Sequence, residues 1–192
     1  MITPIIFTGK AQSGKDTSAD YLRGIIPNCY NFSFADELKN FCIDVFGLDM
    51  VQVYGTNEQK NQLTHIKWKN LPFSEKDIDS IKIQLCADKE FNDYMTGREL
   101  LQVFGTQICR KIYPDCWAFN TLKRVALHEQ DYYPLPDQNY AIITDARFPN
   151  EIDIFRNQSL YDHVTKPIVI RLLRNPLNSQ HGSEVALDNY ID

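Results

Sequence analysis

The stretch Ile5-Ile-Phe-Thr-Gly-Lys-Ala-Gln-Ser-Gly-Lys-Asp-Thr17 runs an apolar segment into a glycine-bounded loop that ends in Gly-Lys. Gly9, Gly14 and Lys15 keep the spacing of a phosphate-binding P-loop. Glycines there let backbone N–H groups, those of Ala11, Gln12, Ser13 and Gly14 among them, turn inward around phosphate oxygens. The helix that follows adds the positive end of its dipole. The Lys15 ammonium then reaches the outer phosphates of a nucleoside triphosphate. Asp16 stands where many such loops place the Ser or Thr that ligates magnesium, and the hydroxyl of Thr17 comes one residue later. The expectation is that Asp16 meets Mg2+ through water while Thr17 donates to the α-phosphate. The plain alternative is a tight strand-to-helix turn that carries its lysine by chance.

A second group of chemically useful residues closes the apolar run Tyr140–Thr144: Asp145, then Arg147, then Glu151. Ligands of open α/β sheets sit at the carboxyl ends of the strands. Asp145 is therefore placed to hold magnesium through water or to accept a hydrogen bond from a substrate, with Arg147 to offset phosphate charge. Phosphoryl transfer asks mainly for positioning and charge stabilisation, which an acid beside a base supplies. A strand-end turn with a solvated charge pair is the alternative. Arg110 and Arg174 are further candidates to bridge a transferring phosphate, Arg174 from just beyond the last strand; each reads equally well as a surface ion pair. Asp36 and Lys39 follow the second strand and either grip an acceptor or cap and solvate a helix.

Thr96 to about Ile112 predicts a helix, opened by Thr96 with Glu99 at capping-box spacing. On a 100° wheel Arg98, Gln102, Gly105, Thr106 and Cys109 share one face, and Leu100, Leu101, Phe104 and Ile108 form another. A mid-helix glycine costs about 1 kcal/mol relative to alanine. Gly105 thus implies close approach, either of a flat ligand hydrogen-bonded by Arg98 and Gln102 or of another helix. Trp117 either stacks on a base or fills a core. His181-Gly-Ser-Glu184 reads as a local turn or lid element.

The elements that must carry these groups alternate. Strands are expected at Ile5–Thr8, Asn31–Phe34, Tyr140–Thr144 and Ile168–Leu173. Helices are expected at Lys15–Arg23 (stopped by Gly24 and Pro27), from Asp36 or Glu37 to Phe46, and at Trp117–Glu129, with a Pro-containing loop over 131–139. That pattern is α/β with a mainly parallel sheet. Residues 48–96, polar and mixed, read as a partly helical insertion over the ligand within a single domain spanning 1–192.

Composition narrows the partners. The chain has 192 residues, 43% hydrophobic and 23% charged, as an ordinary globular protein does. A formal net charge of −5 argues against nucleic acid as a partner. Five scattered cysteines without a Cys-x-x-Cys pair point away from zinc or disulfides and toward a reducing cytoplasm. No charged-then-apolar leader opens the sequence, and no apolar run approaches about 18 residues, so neither secretion nor a membrane span is expected. A homodimer is compatible with the sequence.

In order along the chain, the Ser13-Gly-Lys-Asp-Thr17 loop, Phe34-Ala-Asp-Glu-Leu-Lys39, Arg98-x-x-x-Gln102-x-x-Gly105-Thr106, Trp117, Asp145-Ala-Arg147 with Glu151, Arg174 and His181-x-Ser183-Glu184 resemble the bacteriophage deoxynucleoside monophosphate kinases. Adenylate kinase-like enzymes, to which that family is distantly similar, also tolerate a non-hydroxyl residue after the P-loop lysine. The resemblance implies a three-layer P-loop kinase fold with an inserted acceptor-binding or lid region, working in the cytoplasm, that of a host cell if the gene is phage-borne. It implies that Lys15 and the loop amides bind ATP with Mg2+. Phe34, Asp36, Lys39, Arg98, Gln102, Gly105, Thr106, Trp117, Asp145, Arg147 and Glu151 would surround a deoxynucleoside monophosphate. Phosphomevalonate kinases and dephospho-coenzyme A kinases are similar too, and a non-catalytic nucleotide sensor is the reading from another class. Lys15 together with Asp145 and Arg147 speaks against the sensor.

Overall fold

The computed structural model describes residues 1–131, 138–174, 186–187 and 190. In chain order the elements are β1 (Ile2–Gly9), α1 (Lys15–Ile25), β2 (Cys29–Phe32), α2 (Asp36–Asp44), α3 (Met50–Tyr54), α4 (Asn57–Lys60) and β3 (Leu63–Lys67). After a 3-10 turn at Trp68–Asn70 come α5 (Glu75–Gln84), β4 (Tyr94–Thr96), α6 (Gly97–Gln102), a π-helical turn at Val103–Cys109 and α7 (Arg110–Ile112). The described elements end with α8 (Cys116–Asp131), β5 (Asn139–Ile143), α9 (Pro149–Asn157) and β6 (Ile168–Leu172). They fall into two compact units, Met1–Asp36 with Asp115–Asp192, and Glu37–Pro114.

The first unit holds a four-stranded sheet in the order β2-β5-β1-β6, every pairing parallel. Side chains alternate across it with the period of two that a strand imposes. Ile2 and Ile6 of β1 and Ala141 and Ile143 of β5 pack on Leu122, Val125 and Ala126 of α8 and on Ile152 and Phe155 of α9. Ile5, Phe7 and Ile142 point the other way, onto Ala19 and Leu22 of α1. Helices on both faces make three layers, and each fully buried Ile or Phe contributes about 1.5–3 kcal/mol. The α/β, mainly parallel expectation is met. The edges differ: β1 starts at Ile2, and β2 is drawn two residues earlier because Cys29–Phe32 pairs with Tyr140–Ile143. Phe34 consequently lies past the strand.

The second unit has its own core around Trp68, which is fully buried among Cys42, Val53, Ile78, Met95, Leu100 and Val103. An antiparallel pair, β3 with β4, sits in it, with Leu63 opposite Thr96 and Lys67 opposite Tyr94. Gln52 of α3 ties to it, donating from Nε2 to the Leu63 carbonyl at 3.0 Å. The expected helix from Thr96 begins as read, since Glu99 N–H donates to Thr96 Oγ1 at 3.2 Å and Thr96 N–H to a Glu99 carboxylate oxygen at 2.7 Å. It then widens into the π turn. Among the described residues no helix is long and apolar enough to cross a membrane. His181–Glu184 and most of the 131–139 loop lie outside the described residues.

Candidate nucleotide-binding site

Because its strands are parallel, the first unit brings four strand ends to one edge: the Lys10–Gly14 loop after β1, Ser33–Ala35 after β2, Asp145–Arg147 after β5 and Arg174 beyond β6. Gly9 leaves β1 at φ 140° and Gly14 opens α1 at φ 100°, conformations that side chains other than glycine's rarely adopt. Space also forbids a side chain at Gly9, where a Cβ would lie 2.7 Å from the Leu172 carbonyl oxygen of β6. Gln12 takes a left-handed φ of 58° without being glycine. The loop closes on itself through Ser13 N–H to the Lys10 carbonyl at 3.2 Å. Lys15 Nζ donates to the carbonyls of Gly9 at 2.7 Å and Lys10 at 2.8 Å, which folds the ammonium over the loop mouth. Ser13 Oγ is buried and, among the described residues, has no hydrogen-bond partner. Ala11 is half-buried, and Gln12, Asp16 and Thr17 are exposed.

Asp145, at the end of β5 beside β1, brackets the neighbouring part of the same edge. Its Oδ2 accepts from Ser33 Oγ at 2.6 Å and from Ala35 N–H at 3.1 Å, and its Oδ1 from Phe34 N–H at 3.0 Å. Three of a carboxylate's roughly four acceptor positions are thereby filled by the turn after β2. Glu151 is 2% exposed and accepts the N–H groups of Arg147 at 2.7 Å and Phe148 at 3.1 Å, capping α9. The sequence reading had Glu151 touch substrate. The geometry instead buries it as the brace that sets the backbone of the exposed Arg147.

Phe34 departs from expectation in the same way. Its ring is 3% exposed and meets Phe155 edge-on at a centroid distance of 6.3 Å, so it fills core and presents no face to a ligand. Trp117 is half-buried and lies outside the core clusters of its unit, whereas Trp68 is the tryptophan that fills a core. Asp36 pairs with Arg124 at 3.3 Å. It lines a cavity of about 200 Å³ with Asp16, Asp20, Asn31, Ser33 and Thr144. That volume is below the roughly 300 Å³ at which ligand pockets begin, and three carboxylates repel phosphate. The cavity is therefore no cradle for a nucleotide's phosphates.

Magnesium fits this donor set in a water-retaining form. Asp16 and Thr17 are exposed, Asp145 is mostly occupied, and among the described residues no three acidic, imidazole or thiol groups converge on a point. Mg2+ keeps several waters when it is held by one or two carboxylates and substrate phosphates.

The second unit holds the other expected residues. Lys39 Nζ lies 4.6 Å from the Tyr54 ring centroid, and Arg98 donates to Asn57 Oδ1 at 2.7 Å. Gln102 and Arg110 are half-buried and Thr106 is exposed. A Cβ on Gly105 would sit 2.7 Å from Leu38 Cδ2 of α2. Helix packing therefore accounts for that glycine, and no flat ligand is needed to explain it. The sequence reading missed Ser33, which only the fold brings to Asp145, and Lys60, whose pKa is held below the usual lysine range by burial and then by the charges of Lys39 and Arg98. Lys60 sits in the unpatterned 48–96 stretch, and no sequence signal pointed to it.

A glycine-bounded loop of this geometry, opening from β1 at the carboxyl edge of a four-stranded parallel α/β sheet, defines a P-loop kinase fold. No family model matches the chain. It is 30% identical over 189 residues to a "putative deoxynucleotide monophosphate kinase" of Acanthamoeba polyphaga mimivirus, a match covering 93% of this chain and 79% of the relative. The chain belongs to that deoxynucleotide monophosphate kinase family and is a nucleotide kinase. The bacteriophage branch suggested by the motifs stays an expectation.

Proposed function

We propose that this chain transfers the γ-phosphate of ATP to a deoxynucleoside monophosphate, giving the diphosphate and ADP. The observation that carries the reading is the P-loop, with its glycines at positive φ and Lys15 Nζ folded over the mouth at 2.7 and 2.8 Å from the Gly9 and Lys10 carbonyls. Membership of a family whose mimivirus relative is named a putative deoxynucleotide monophosphate kinase supports this choice of acceptor.

On this reading the loop amides hold the phosphates of ATP, Thr17 donates to the α-phosphate, and Lys15 exchanges its two carbonyl partners for the outer phosphate oxygens. Arg174 flanks the donor. An oxygen of the acceptor phosphate attacks the γ-phosphorus, the bond to the β–γ bridging oxygen breaks, and its electron pair leaves with ADP. A phosphate monoester is largely dianionic at neutral pH, so the attack needs no strong general base. The work of the protein is alignment and charge. Arg147, held at its backbone by Glu151, offsets charge on the transferring group, with Arg110 and Arg174 as the other cations. Asp16 and the remaining acceptor position of Asp145 would hold magnesium through water, and the ion would supply charge neutralisation to the bound triphosphate. Lys39, Arg98, Gln102 and Thr106 hold the acceptor, and the Trp117 indole stacks on its base.

Coupled ADP release tests the reading against a panel of deoxynucleoside and ribonucleoside monophosphates, phosphomevalonate and dephospho-coenzyme A. Turnover confined to deoxynucleoside monophosphates is the expected result. Turnover confined to one of the last two would replace the acceptor, and none with any acceptor would overturn the enzyme reading.

A further inference from the structure

Three cations of the second unit share one small region, and among the described residues none of them has an ion-pair partner. α4 is set by a reciprocal cap, in which Thr56 N–H donates to Gln59 Oε1 at 2.8 Å and Gln59 N–H to Thr56 Oγ1 at 3.3 Å. The first residue of that helix, Asn57, takes the Arg98 guanidinium on Oδ1 at 2.7 Å. Its last residue is Lys60, three positions on and hence a surface neighbour of Asn57. Lys39 comes from α2, its ammonium resting 4.6 Å over the Tyr54 ring while the Tyr54 hydroxyl donates to Asn40 Oδ1 at 3.0 Å.

All three cations are half-buried, and among the described residues none of them forms an ion pair. The nearby Glu58 instead accepts from Thr56 Oγ1 at 3.3 Å. Lys60 feels the cost of this arrangement, since burial and then the charges of Lys39 and Arg98 hold its pKa below the ordinary range. Like charges brought together and partly dehydrated oppose folding, and an incoming dianion turns the same arrangement into attraction.

We propose that Lys60 completes, with Lys39 and Arg98, a subsite for the phosphate monoester dianion of the acceptor. The inference rests on the kinase reading above and adds to it a residue and a specific role. The planar guanidinium, anchored by Asn57, offers a two-pronged contact, and the two ammonium groups add point charges. A dianion matches this set better than an uncharged nucleoside does.

The test compares Lys60→Met, which keeps most of the apolar stem, and Lys60→Arg with the wild type. With ATP saturating, Lys60→Met is expected to raise the acceptor KM by about ten- to a hundredfold, the range for loss of a hydrogen bond to a charged group. The ATP KM should stay within about twofold, and Lys60→Arg should recover most of the loss. An unchanged acceptor KM, or an equal rise for ATP, overturns the proposal.

A second arm measures thermal stabilisation by inorganic phosphate in the Lys15→Ala background, where the P-loop lysine no longer contributes. Stabilisation that disappears on adding Lys60→Met supports the subsite, and stabilisation that persists unchanged overturns it. If the wild type turns over no deoxynucleoside monophosphate, the acceptor reading fails by itself, and this arm still decides the subsite. Should Lys60→Met not fold, Lys60→Gln serves in both arms.

Discussion

Ser33 Oγ donates to Asp145 Oδ2 at 2.6 Å, across 112 positions of sequence. The bond fastens the turn after β2 to the end of β5. With the Phe34 and Ala35 N–H groups on the same carboxylate, it fixes where α2 begins. A residue expected to serve metal or substrate is thus first a structural bracket of the strand end beside the P-loop, with little acceptor capacity left over.

Asp145→Ala should therefore cost stability as well as activity. It leaves a hydroxyl and two backbone N–H groups without their acceptor, and hydrogen bonds to charged groups are worth about 1.5–3 kcal/mol each. A loss of about 2–4 kcal/mol is expected after partial rescue by water, seen as a lower urea midpoint at constant slope. An unchanged midpoint would mean that the bracket carries no net free energy.

Glu151 acts on Arg147 through the backbone, so conservative and truncating variants should separate. Glu151→Gln keeps an acceptor for the Arg147 and Phe148 N–H groups, and glutamine serves in the same cap position. Stability and kcat should fall little. Glu151→Ala removes the cap, worth about 1 kcal/mol, and leaves a void at a 2% exposed site. Unfolding and steady-state kinetics on both variants check this. If Gln were as damaging as Ala, the carboxylate charge rather than the cap would be what matters.

Some of this was readable from the sequence, for physical reasons. The Gly9–Lys15 spacing and the Thr96–Glu99 cap are local, set within a few residues, and both appear as expected. The continuous apolar runs at Ile5–Phe7 and Tyr140–Ile143 are likewise what strands buried on both faces of a parallel sheet require. Gly105 and Phe34 are ambiguous in sequence because small or aromatic residues near a site look alike whether they face a ligand or a neighbouring helix. The 100° wheel over 103–109 assumed a pitch the chain abandons in its π turn, which displaces the faces that follow. β3 and β4 went unseen because they are short and pair across nearly thirty residues. Ser33 with Asp145, and Asn57 with Arg98, meet only in three dimensions.

Lys15→Ala should abolish transfer and spare the fold. The two carbonyls that Lys15 contacts, on Gly9 and Lys10, lie in a half-buried loop and can turn to water. Loss of a positioned donor on developing charge costs at least about a hundredfold in kcat. Coupled ADP release should register that loss while the thermal midpoint moves by no more than a few degrees. Near-normal turnover in this variant would remove the P-loop from the mechanism.

Cys42 gives the fold a pH signature of definite sign. It is fully buried in the second unit, and burial, with a smaller contribution from Cys109, pushes its pKa from 9.0 up to about 12. In the unfolded chain the thiol ionises near 9.0, so between those values the unfolded state sheds a proton that the folded state keeps. The resulting stability is fully present below pH 9.0 and is lost as pH rises through that window toward about 12. Urea midpoints for the wild type should decline from about pH 8 to about pH 10 more steeply than those of Cys42→Ala, in which this group is absent and the other alkaline titrations remain. The Cys42 thiol should also resist alkylation in the native state and react at the rate of unfolding. Parallel declines in the two proteins, or rapid native-state alkylation at Cys42, would show that the thiol is not held neutral by the core.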